Sequence, residues 1–350
     1  MIQPFAIGSR LVGPGCPCFV IAEAGINHNG DLALAHRLVD AARTAGADAI
    51  KFQTFAAEQV VSAIAPKAAY QTAATGASES QLDMVRGFEL PPAAFTELAA
   101  HCAEAGIMFL STPFDPGSAD LLERLGVPAF KLPSGEITNP ILLRRVAAKG
   151  RPVLLSTGMA TLAEVAAAVE ILEAAGCRDL LLLHCTSAYP AAAETANLRA
   201  MATMAAAFHR PVGYSDHTNG FEVAIAAVAL GAACIEKHFT LDRALPGPDH
   251  TASVTPADLA ALVGLVRRTE RALGDGRKHP VAEERDTSDV ARRSLFAARA
   301  LAAGAVLTVD DLVALRPAGG ISPMQVDGIA GRRLARAVER GARLQWSDLA

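Results

Sequence analysis

The sequence contains few cysteines and few aromatic residues, and it has no long apolar run. Its 350 residues include six cysteines, and aromatic residues make up 5%. Only Cys16 and Cys18 lie close together, in a spacing that matches neither a disulfide framework nor a zinc knuckle. No segment approaches the roughly 20 apolar residues that a membrane-spanning helix needs. We expect reduced thiols, no membrane partner and, because the N-terminus shows no secretory signal, a cytoplasmic protein.

The sequence also lacks a strong excess of charge of either sign. Its 32 basic and 36 acidic residues are mixed along the chain and give a net charge of −4. This balance excludes the basic patch with which proteins bind nucleic acid. Hydrophobic residues make up 51% of the chain, enough to bury more than one core. We therefore expect a globular protein that acts on a small molecule.

Short apolar runs followed by Gly or Pro and then by an Ala- and Leu-rich stretch recur along the chain. The runs are residues 19–22, 49–52, 107–111, 129–132, 153–156, 180–185, 212–214 and 234–237. Strands that alternate with helices in this way predict an α/β fold, a (β/α)8 TIM barrel, with an open doubly wound sheet as the competing fold. No G-x-G-x-x-G follows any run, so the best marker of a dinucleotide-binding open sheet is missing.

Capping signals agree with this pattern of strands and helices. Thr161 and Glu164 have the spacing of a capping box, and Thr255-Pro256 places proline at a first helical position. The interval between the second and third runs is longer than the others. Residues 56–90 therefore predict a long insertion after the second strand.

The composition changes after Leu273. Residues 274–290 are polar, charged and contain Gly and Pro, which is typical of an exposed linker. Short strands and turns follow, with a capping box at Thr308 and Asp311. We predict a barrel over residues 1–273, a linker over 274–290 and a second module over 291–350. This module is small enough to depend on the barrel or on another subunit for stability.

Polar residues follow the end of every predicted strand, where the active site of such a barrel lies. Lys51 and Lys131 interrupt apolar strands, and a buried ammonium group must meet an anion. That anion is either an internal carboxylate, from Glu23 and Glu136, or a ligand. Four hydroxyl residues share the same rim: Thr112, Ser134, Ser156 and Ser215. Two cations among small donors favour a ligand that carries phosphate and carboxylate groups.

Two histidines are candidate metal ligands. His217 and His238 end the neighbouring seventh and eighth strands, so their imidazoles can converge on one ion. Such a site would stay open to water and substrate and act as a Lewis acid. The alternative is that each histidine is a hydrogen-bonded structural residue. The loop LPGPDH (245–250) places Asp249 over the barrel mouth, unless it is a simple surface turn.

Seven motifs resemble the sialic acid synthase (nonulosonate synthase) family. They are IAEAGINHNG (21–30), DAIKFQT (48–54), FLSTPFD (109–115), FKLPSGE (130–136), LSTGM (155–159), GYSDH (213–217) and IEKHFTLD (235–242). Residues 294–349, with RPAGGISP (316–323), resemble the family's C-terminal antifreeze-like (SAF) domain. The resemblance therefore covers the whole chain.

The resemblance implies that phosphoenolpyruvate (PEP) condenses with an N-acetylmannosamine-type sugar, with C–O cleavage of PEP. The products are a nine-carbon sialic acid and phosphate. By the same resemblance, His217 and His238 hold Mn²⁺ or Mg²⁺, and Glu136 manages the protons and the cationic intermediate with support from Glu23. The PEP-binding residues are Lys51, Thr112, Lys131, Ser134, Ser156, Ser187 and Ser215. The sugar-binding residues are Gln53, Glu136, Tyr189, Asp249 and Arg316.

The family further implies a domain-swapped homodimer in which Arg316 reaches the sugar in the partner's barrel. Residues 186–192 and Thr251 depart from the family's common pattern. The loop 245–250, Phe52-Gln53 and residues 65–70 favour an N-acetylneuraminate or N,N'-diacetyllegionaminate product over pseudaminate. The alternatives are a pseudaminate-type synthase, a metal-dependent barrel aldolase that does not use PEP, and a carbohydrate-binding protein without activity.

Overall fold

The computed structural model describes residues 2–76 and 78–350. The chain forms two compact units, one up to Gly274 and the other from Asp275 to Ala350. Ala77, within the predicted insertion, lies outside the described residues. No helix among the described residues is long and apolar enough to cross a membrane.

The strands of the first unit are β1 (Phe5–Ile7), β2 (Arg10–Val12), β3 (Phe19–Gly25), β4 (Ala49–Thr54), β5 (Met108–Pro113), β6 (Phe130–Leu132), β7 (Val153–Ser156), β8 (Leu180–Cys185), β9 (Val212–Asp216) and β10 (Cys234–His238). Its helices are α1 (Leu32–Thr44), α2 (Ala57–Val60), α3 (Ala69–Thr75), α4 (Gln81–Arg86), α5 (Pro92–Ala105), α6 (Pro116–Arg124), α7 (Pro140–Ala147), α8 (Leu162–Ala174), α9 (Arg199–Phe208), α10 (Glu222–Ala229) and α11 (Pro256–Leu273). Short 3₁₀ helices cover Ser134–Glu136, Ala193–Thr195 and His250–Ala252.

Strands β3 to β10 form a single parallel sheet. Hydrogen-bonded neighbours follow the order β5-β4-β3-β10-β9-β8-β7-β6. β5 and β6 stand at the two ends of this order and pack side by side, so the sheet closes into a nearly complete barrel. The (β/α)8 prediction is confirmed, and the open doubly wound sheet is wrong.

Alternate residues of the barrel strands point inward and form a small apolar core, which includes Phe19, Ile21 and Leu181. The antiparallel hairpin β1–β2 adds Ile7 and Val12 to this core, and both are fully buried. The hairpin therefore packs on the amino-terminal end of the barrel. The sequence pattern does not predict it, because three-residue strands are too short to show an alternation.

The residues that alternate with the inner ones face the helices and form a larger core. Val20 and Ile50 from the strands meet Leu38, Leu98 and Val146 from the surrounding helices. A (β/α)8 barrel buries both faces of its sheet in this way, which is why the strands read as continuous apolar runs.

Capping side chains set the starts of several helices. Asp31 accepts hydrogen bonds from the first backbone N–H groups of α1. Thr161 and Glu164 form the predicted capping box of α8, and Thr255 caps α11, in which Pro256 is the first residue.

The predicted insertion between β4 and α5 contains α2, α3 and α4. The backbone N–H of Ala57 donates to Glu89 Oε2 at 2.9 Å, and the N–H of Ala56 donates to Asp115 Oδ2 at 3.1 Å. The start of the insertion is thus tied both to its own end and to the loop after β5.

The second unit has its own antiparallel pair and its own core. Its elements are α12 (Arg285–Ala291), β11 (Ser294–Ala297), β12 (Leu312–Leu315) and α13 (Val326–Ile329), with 3₁₀ helices at Ala282–Glu284, Val309–Asp311, Pro323–Gln325 and Trp346–Asp348. Leu295, Leu307, Ile321 and Leu344 lie in its apolar core. Most of α12 falls in the segment that composition marks as a linker.

Candidate active site

Inside the barrel, a layer of polar side chains lies above the apolar core. Each of these side chains comes two residues after a core residue of the same strand. Ile21 and Glu23 illustrate the spacing, as do Cys234 and Glu236, because side chains two apart on a strand share a face. The same spacing relates Ala49 to Lys51, Leu110 to Thr112, Ala129 to Lys131 and Leu154 to Ser156. The carboxyl ends of the strands therefore carry a continuous polar layer above an apolar floor.

A cavity of about 470 Å³ opens above this layer. It brings together the predicted residues Glu23, Lys51, Gln53, Thr112, Lys131, Ser134, Ser156, Ser187, Tyr189, Ser215, His217, His238 and Asp249. Glu136 does not line it. Arg316 lies in the second unit, directly after β12.

Lys51 is held by protein groups on several sides. Its Nζ lies 2.6 Å from Glu23 Oε2 and 3.7 Å from Glu236 Oε2, and it donates to Thr112 Oγ1 at 2.8 Å. Burial would lower the pKa of Lys51, but these two carboxylates outweigh it and raise the pKa. Burial raises the pKa of Glu23, and Lys51 offsets this only in part. The structure therefore pairs Lys51 with internal carboxylates, and its role toward a ligand stays a prediction.

Lys131 has much weaker partners. Within the described chain its Nζ donates no hydrogen bond, and its ion-pair partner is Glu236, with Oε1 3.5 Å away. Internal pairing with Glu136 is thus wrong. Burial lowers the pKa of Lys131, and Glu236 compensates only in part. A buried ammonium without a hydrogen-bond acceptor is costly, and an anionic ligand in the cavity would supply one.

Glu236 is the shared counterion of the two lysines. It also accepts a hydrogen bond from Ser215 Oγ at 2.8 Å. Burial would raise its pKa, but Lys131 and Lys51 lower it to about 2. The adjacent Lys237 points to the other face, where its Nζ lies 2.6 Å from Asp216 Oδ2.

A hydroxyl cradle surrounds Gly158, which the sequence did not single out beyond its LSTGM motif. The backbone N–H of Gly158 donates to Ser134 Oγ at 2.9 Å. A Cβ at this position would lie 2.3 Å from Ser187 Oγ and 2.8 Å from Ser134 Oγ. Glycine therefore leaves open the space between these two hydroxyl groups.

His217 and His238 lie side by side at the cavity, with ring centroids 5.4 Å apart. His217 Nδ1 lies 2.7 Å from the carbonyl oxygen of Thr186, so Nδ1 carries the proton and Nε2 has a free lone pair. His238 Nδ1 is buried without a hydrogen bond, and Asp249 Oδ2 is 3.8 Å away. Tyr189 packs against both rings, at 4.4 and 5.6 Å.

These histidines suit a metal site with few protein ligands. Burial lowers the pKa of both imidazoles, which keeps them neutral as ligands must be. Among the described residues no group of three or more His, Cys, Asp or Glu side chains has the geometry to hold a metal. The unpartnered nitrogen of His238 beside His217 fits an ion that takes its remaining ligands from water and substrate.

Glu136 ends the 3₁₀ helix Ser134–Glu136 and is half-buried. Its Oε2 accepts a hydrogen bond from Asn139 Nδ2 at 2.6 Å. Its neighbours Ser134 and Gly135 line the cavity, so the carboxylate lies just beyond the wall. Glu23 and Glu236 are the carboxylates that reach the lysines.

Comparisons with known proteins agree with this architecture. The model of the NeuB family matches residues 38–278, and the model of the SAF domain matches residues 292–350. The chain is 45% identical to N,N'-diacetyllegionaminic acid synthase of Legionella pneumophila, over 98% of this chain and 97% of the relative. It is 36% identical to N-acetylneuraminate-9-phosphate synthase of Mus musculus, over 94% and 92% of the two chains.

A solved structure is similar over most of the chain. It is the N-acetylneuraminic acid (sialic acid) synthetase of Leptospira borgpetersenii in complex with citrate, which is 38% identical. The superposition has a TM-score of 0.74 and covers 82% of this chain and 95% of that one.

Proposed function

The chain belongs to the NeuB family, and on this premise we propose that it is a PEP-dependent synthase, a transferase that forms a C–C bond. It condenses PEP with an N-acetylmannosamine-type sugar and releases phosphate and a nine-carbon sialic acid, of the N-acetylneuraminate or legionaminate type. The observation that carries this proposal is the buried Lys131 Nζ, which donates no hydrogen bond within the described chain and lines the cavity beside free hydroxyl groups.

PEP suits this part of the cavity because it carries a phosphate and a carboxylate on one small carbon frame. Lys131 would gain the acceptor that it lacks, and Lys51 would add charge from its fixed position. Ser156 and Ser187, whose hydroxyl groups make no hydrogen bond within the described residues, would donate to the phosphate oxygens. The other predicted PEP-binding residues are Thr112, Ser134 and Ser215.

His217 and His238 would hold the divalent ion, Mn²⁺ or Mg²⁺. When bound, this ion supplies Lewis acidity that polarises the sugar's aldehyde. Asp249 and Tyr189, which surround the histidines, and Gln53, which donates to Glu23 Oε1 at 3.2 Å, would orient the open-chain sugar.

The reaction joins C3 of PEP to the aldehyde carbon, and the aldehyde oxygen takes up a proton. Water adds to C2, which has become cationic, and the C2–O bond breaks to release phosphate. Two buried carboxylates, Glu23 and Glu236, lie beside the lysines and would stabilise that positive charge. The raised pKa of Glu23 suits a group that holds a proton during the reaction. Glu136 remains the residue predicted to donate and accept protons. To do so, its carboxylate would have to turn away from Asn139 toward the cavity.

A domain-swapped homodimer in the cytoplasm, with Arg316 on the partner's sugar, is part of the same proposal. It is supported by the separate SAF unit, whose small core resembles that of a domain needing further contacts.

Phosphate release from PEP tests the function. We expect the full-length chain with Mn²⁺ to release phosphate only when N-acetylmannosamine or 2,4-diacetamido-2,4,6-trideoxymannose is present. Lys131→Met should lower kcat/KM about 100-fold or more, since it removes a preorganised cation. Lys278→Met, at an exposed lysine, is the matched control and should keep full activity. No release with either sugar under Mn²⁺ or Mg²⁺ would refute the synthase.

A further inference from the structure

A buried ion pair lies directly behind the two histidines of the cavity. Asp216 precedes His217 at the end of β9, and Lys237 precedes His238 at the end of β10. Lys237 Nζ lies 2.6 Å from Asp216 Oδ2, and the two side chains are 1% and 0% exposed. Because successive residues of a strand point to opposite faces, the histidines line the cavity while the ion pair faces the surrounding helices.

The ion pair lies in an otherwise apolar part of the outer core. Tyr214 and Ile235 come two residues before its members and Phe239 comes two after, and all three are fully buried in that core. Moving two charges out of water into such surroundings is costly, and a well-packed apolar pair of similar volume is often at least as stable. The contacts of the pair therefore point to a role other than stability.

These contacts enclose the backbone of His217. Asp216 Oδ1 accepts hydrogen bonds from the N–H of Thr218 at 2.9 Å and from its hydroxyl group at 2.7 Å. Lys237 Nζ donates to the carbonyl oxygen of Thr218 at 2.7 Å as well as to Asp216. We name Asp216, Thr218 and Lys237 the strand clamp. It ties the residues on both sides of His217 to the residue that precedes His238.

The strand clamp begins where the backbone pairing of β9 with β10 ends. The last register pair of these strands is Lys237 with Asp216. His238 is still paired with Glu23 of β3, whereas His217 lies one residue beyond β9. The position of His217 relative to His238 therefore depends on side-chain contacts and not on the sheet.

His217 is also held from the loop after β8. Its Nδ1 bonds the carbonyl oxygen of Thr186, and its own carbonyl oxygen accepts the N–H of Ala191 at 2.8 Å. These contacts fix the ring and its tautomer, but they join His217 to β8. The strand clamp is what joins it to β10 and thus to the other histidine.

We propose that Asp216 and Lys237 are positioning residues for the divalent ion, an inference that rests on the proposed function. The strand clamp holds His217 at the separation from His238 that lets both imidazoles reach one ion. Metal ligands must be held to within about 0.5 Å of their productive geometry, and a site with two protein ligands has few others to compensate for an error.

Mn²⁺ titration of the full-length, metal-free chain, followed by the EPR signal of free Mn²⁺, tests this role without measuring activity. We expect Asp216→Asn to raise the Kd for Mn²⁺ about tenfold or more, since residues that orient metal ligands have effects of that size. The Kd for PEP, measured by calorimetry without metal, should stay nearly unchanged, because neither residue of the pair lines the cavity.

Asp48→Asn is the matched control. Asp48 is a carboxylate that is 10% exposed, and it pairs with Arg267 at 2.7 Å at the opposite end of the barrel. This change should lower the melting temperature, as Asp216→Asn does, and leave the Kd for Mn²⁺ at the wild-type value. The comparison separates a displaced ligand from a barrel that is less stable in general.

The double variant Asp216→Leu/Lys237→Met separates positioning from stability. It replaces the ion pair by apolar residues, so its melting temperature should exceed that of each single change and approach the wild-type value. Its Kd for Mn²⁺ should nevertheless stay about tenfold or more above that of the wild type. Should Asp216→Asn not fold, the double variant, which leaves no charge unpaired, makes the same comparison.

The outcomes also separate this inference from the function on which it rests. A wild-type Kd for Mn²⁺ in folded Asp216→Asn, or in the double variant, would overturn the inference and leave the synthase intact. Equal rises in the Kd for Mn²⁺ and for PEP would contradict it too, because a general loosening affects both. A wild-type chain that binds no Mn²⁺ would refute the metal site of the proposed function, and this inference with it.

Discussion

At the scale of single residues, the two lysines of the cavity differ in how firmly the protein holds them. Lys51 has a carboxylate at 2.6 Å and a hydroxyl acceptor, whereas Lys131 shares Glu236 at 3.5 Å. We infer that Lys51 is part of a fixed frame and that Lys131 is the cation that a ligand completes. The charge balance of the cavity then depends on Glu236, which lies near both lysines.

This charge balance gives a prediction for Glu236→Gln. The change leaves two buried ammonium groups with Glu23 alone, and it should lower the free energy of unfolding by about 3–5 kcal/mol. PEP brings back negative charge, so it should raise the melting temperature of the variant more than that of the wild type. Thermal unfolding with and without PEP measures both effects. Glu104→Gln, at an exposed carboxylate, is the control, and an equal response to PEP in both chains would contradict the prediction.

The hydroxyl cradle gives a second prediction, for Gly158→Ala. The added methyl group would lie 2.3 Å from Ser187 Oγ, so Ser187 and Ser134 must move apart. We expect kcat/KM for PEP to fall about 100-fold, since small misplacements at a reacting centre have effects of that size. Gly135→Ala is the matched control, because Gly135 lines the same cavity and its Cβ would meet nothing within 4 Å. Equal values of kcat/KM for PEP in the two variants would contradict a role of the hydroxyl cradle in binding PEP.

Single polar residues were predictable from sequence where they stand out from their strand. Lys51 and Lys131 are ammonium groups in apolar runs, and His238 ends one, so burial alone marks them. The pairing of Lys131 with Glu236, rather than Glu136, was not predictable, because it depends on which strands face each other across the barrel. The open space at Gly158 likewise depends on Ser187, which lies on another strand's loop.

At the scale of elements, the eight barrel strands were predictable because each buries both faces and is followed by a helix signal. Their observed ends extend two or three residues further at β3, β4 and β9, into the polar residues of the site. An apolar run in the sequence stops before its strand does, because the last strand residues are the polar ones of the site. The hairpin β1–β2 was not predicted because its three-residue strands are too short to show the alternation of apolar and polar residues.

This hairpin should matter for stability and not for catalysis. Ile7 is fully buried in the barrel's inner core, and Ile7→Ala should lower the free energy of unfolding by about 2–5 kcal/mol. Leu11 of the same hairpin is 59% exposed, so Leu11→Ala should change it by less than about 0.5 kcal/mol. Denaturant titration measures both values. KM for PEP should be the same in both folded variants, and a selective rise in Ile7→Ala would link the hairpin to the site.

At the scale of the whole molecule, the two compact units raise the question of which barrel each SAF domain serves. The change in composition after Leu273 marks the boundary in the sequence, and the structure divides at Gly274. Composition says nothing about whether Arg316 acts on its own barrel or on the partner's. Which barrel Arg316 serves depends on how two subunits assemble, and no local pattern in the sequence indicates that.

Mixed dimers distinguish these two arrangements. Lys131→Met disables the barrel, and Arg316→Ala should raise KM for the sugar about tenfold or more without changing KM for PEP. At a sugar concentration well below KM, co-expression of the two variants should restore roughly a quarter of wild-type activity if Arg316 acts across the dimer. Random pairing makes about half of the dimers mixed, and one of the two sites in each mixed dimer is intact. No recovery above the separate variants would show that Arg316 acts within its own chain.

The insertion between β4 and α5 begins and ends at nearly the same place, since the N–H of Ala57 donates to the carboxylate of Glu89. Such a segment can be exchanged as a cassette without redirecting β4 or α5. The polar layer of the barrel strands and the part of the cavity wall that the insertion supplies thus lie in separate stretches of the chain. Evolution can therefore replace or alter one of these two stretches without changing the other.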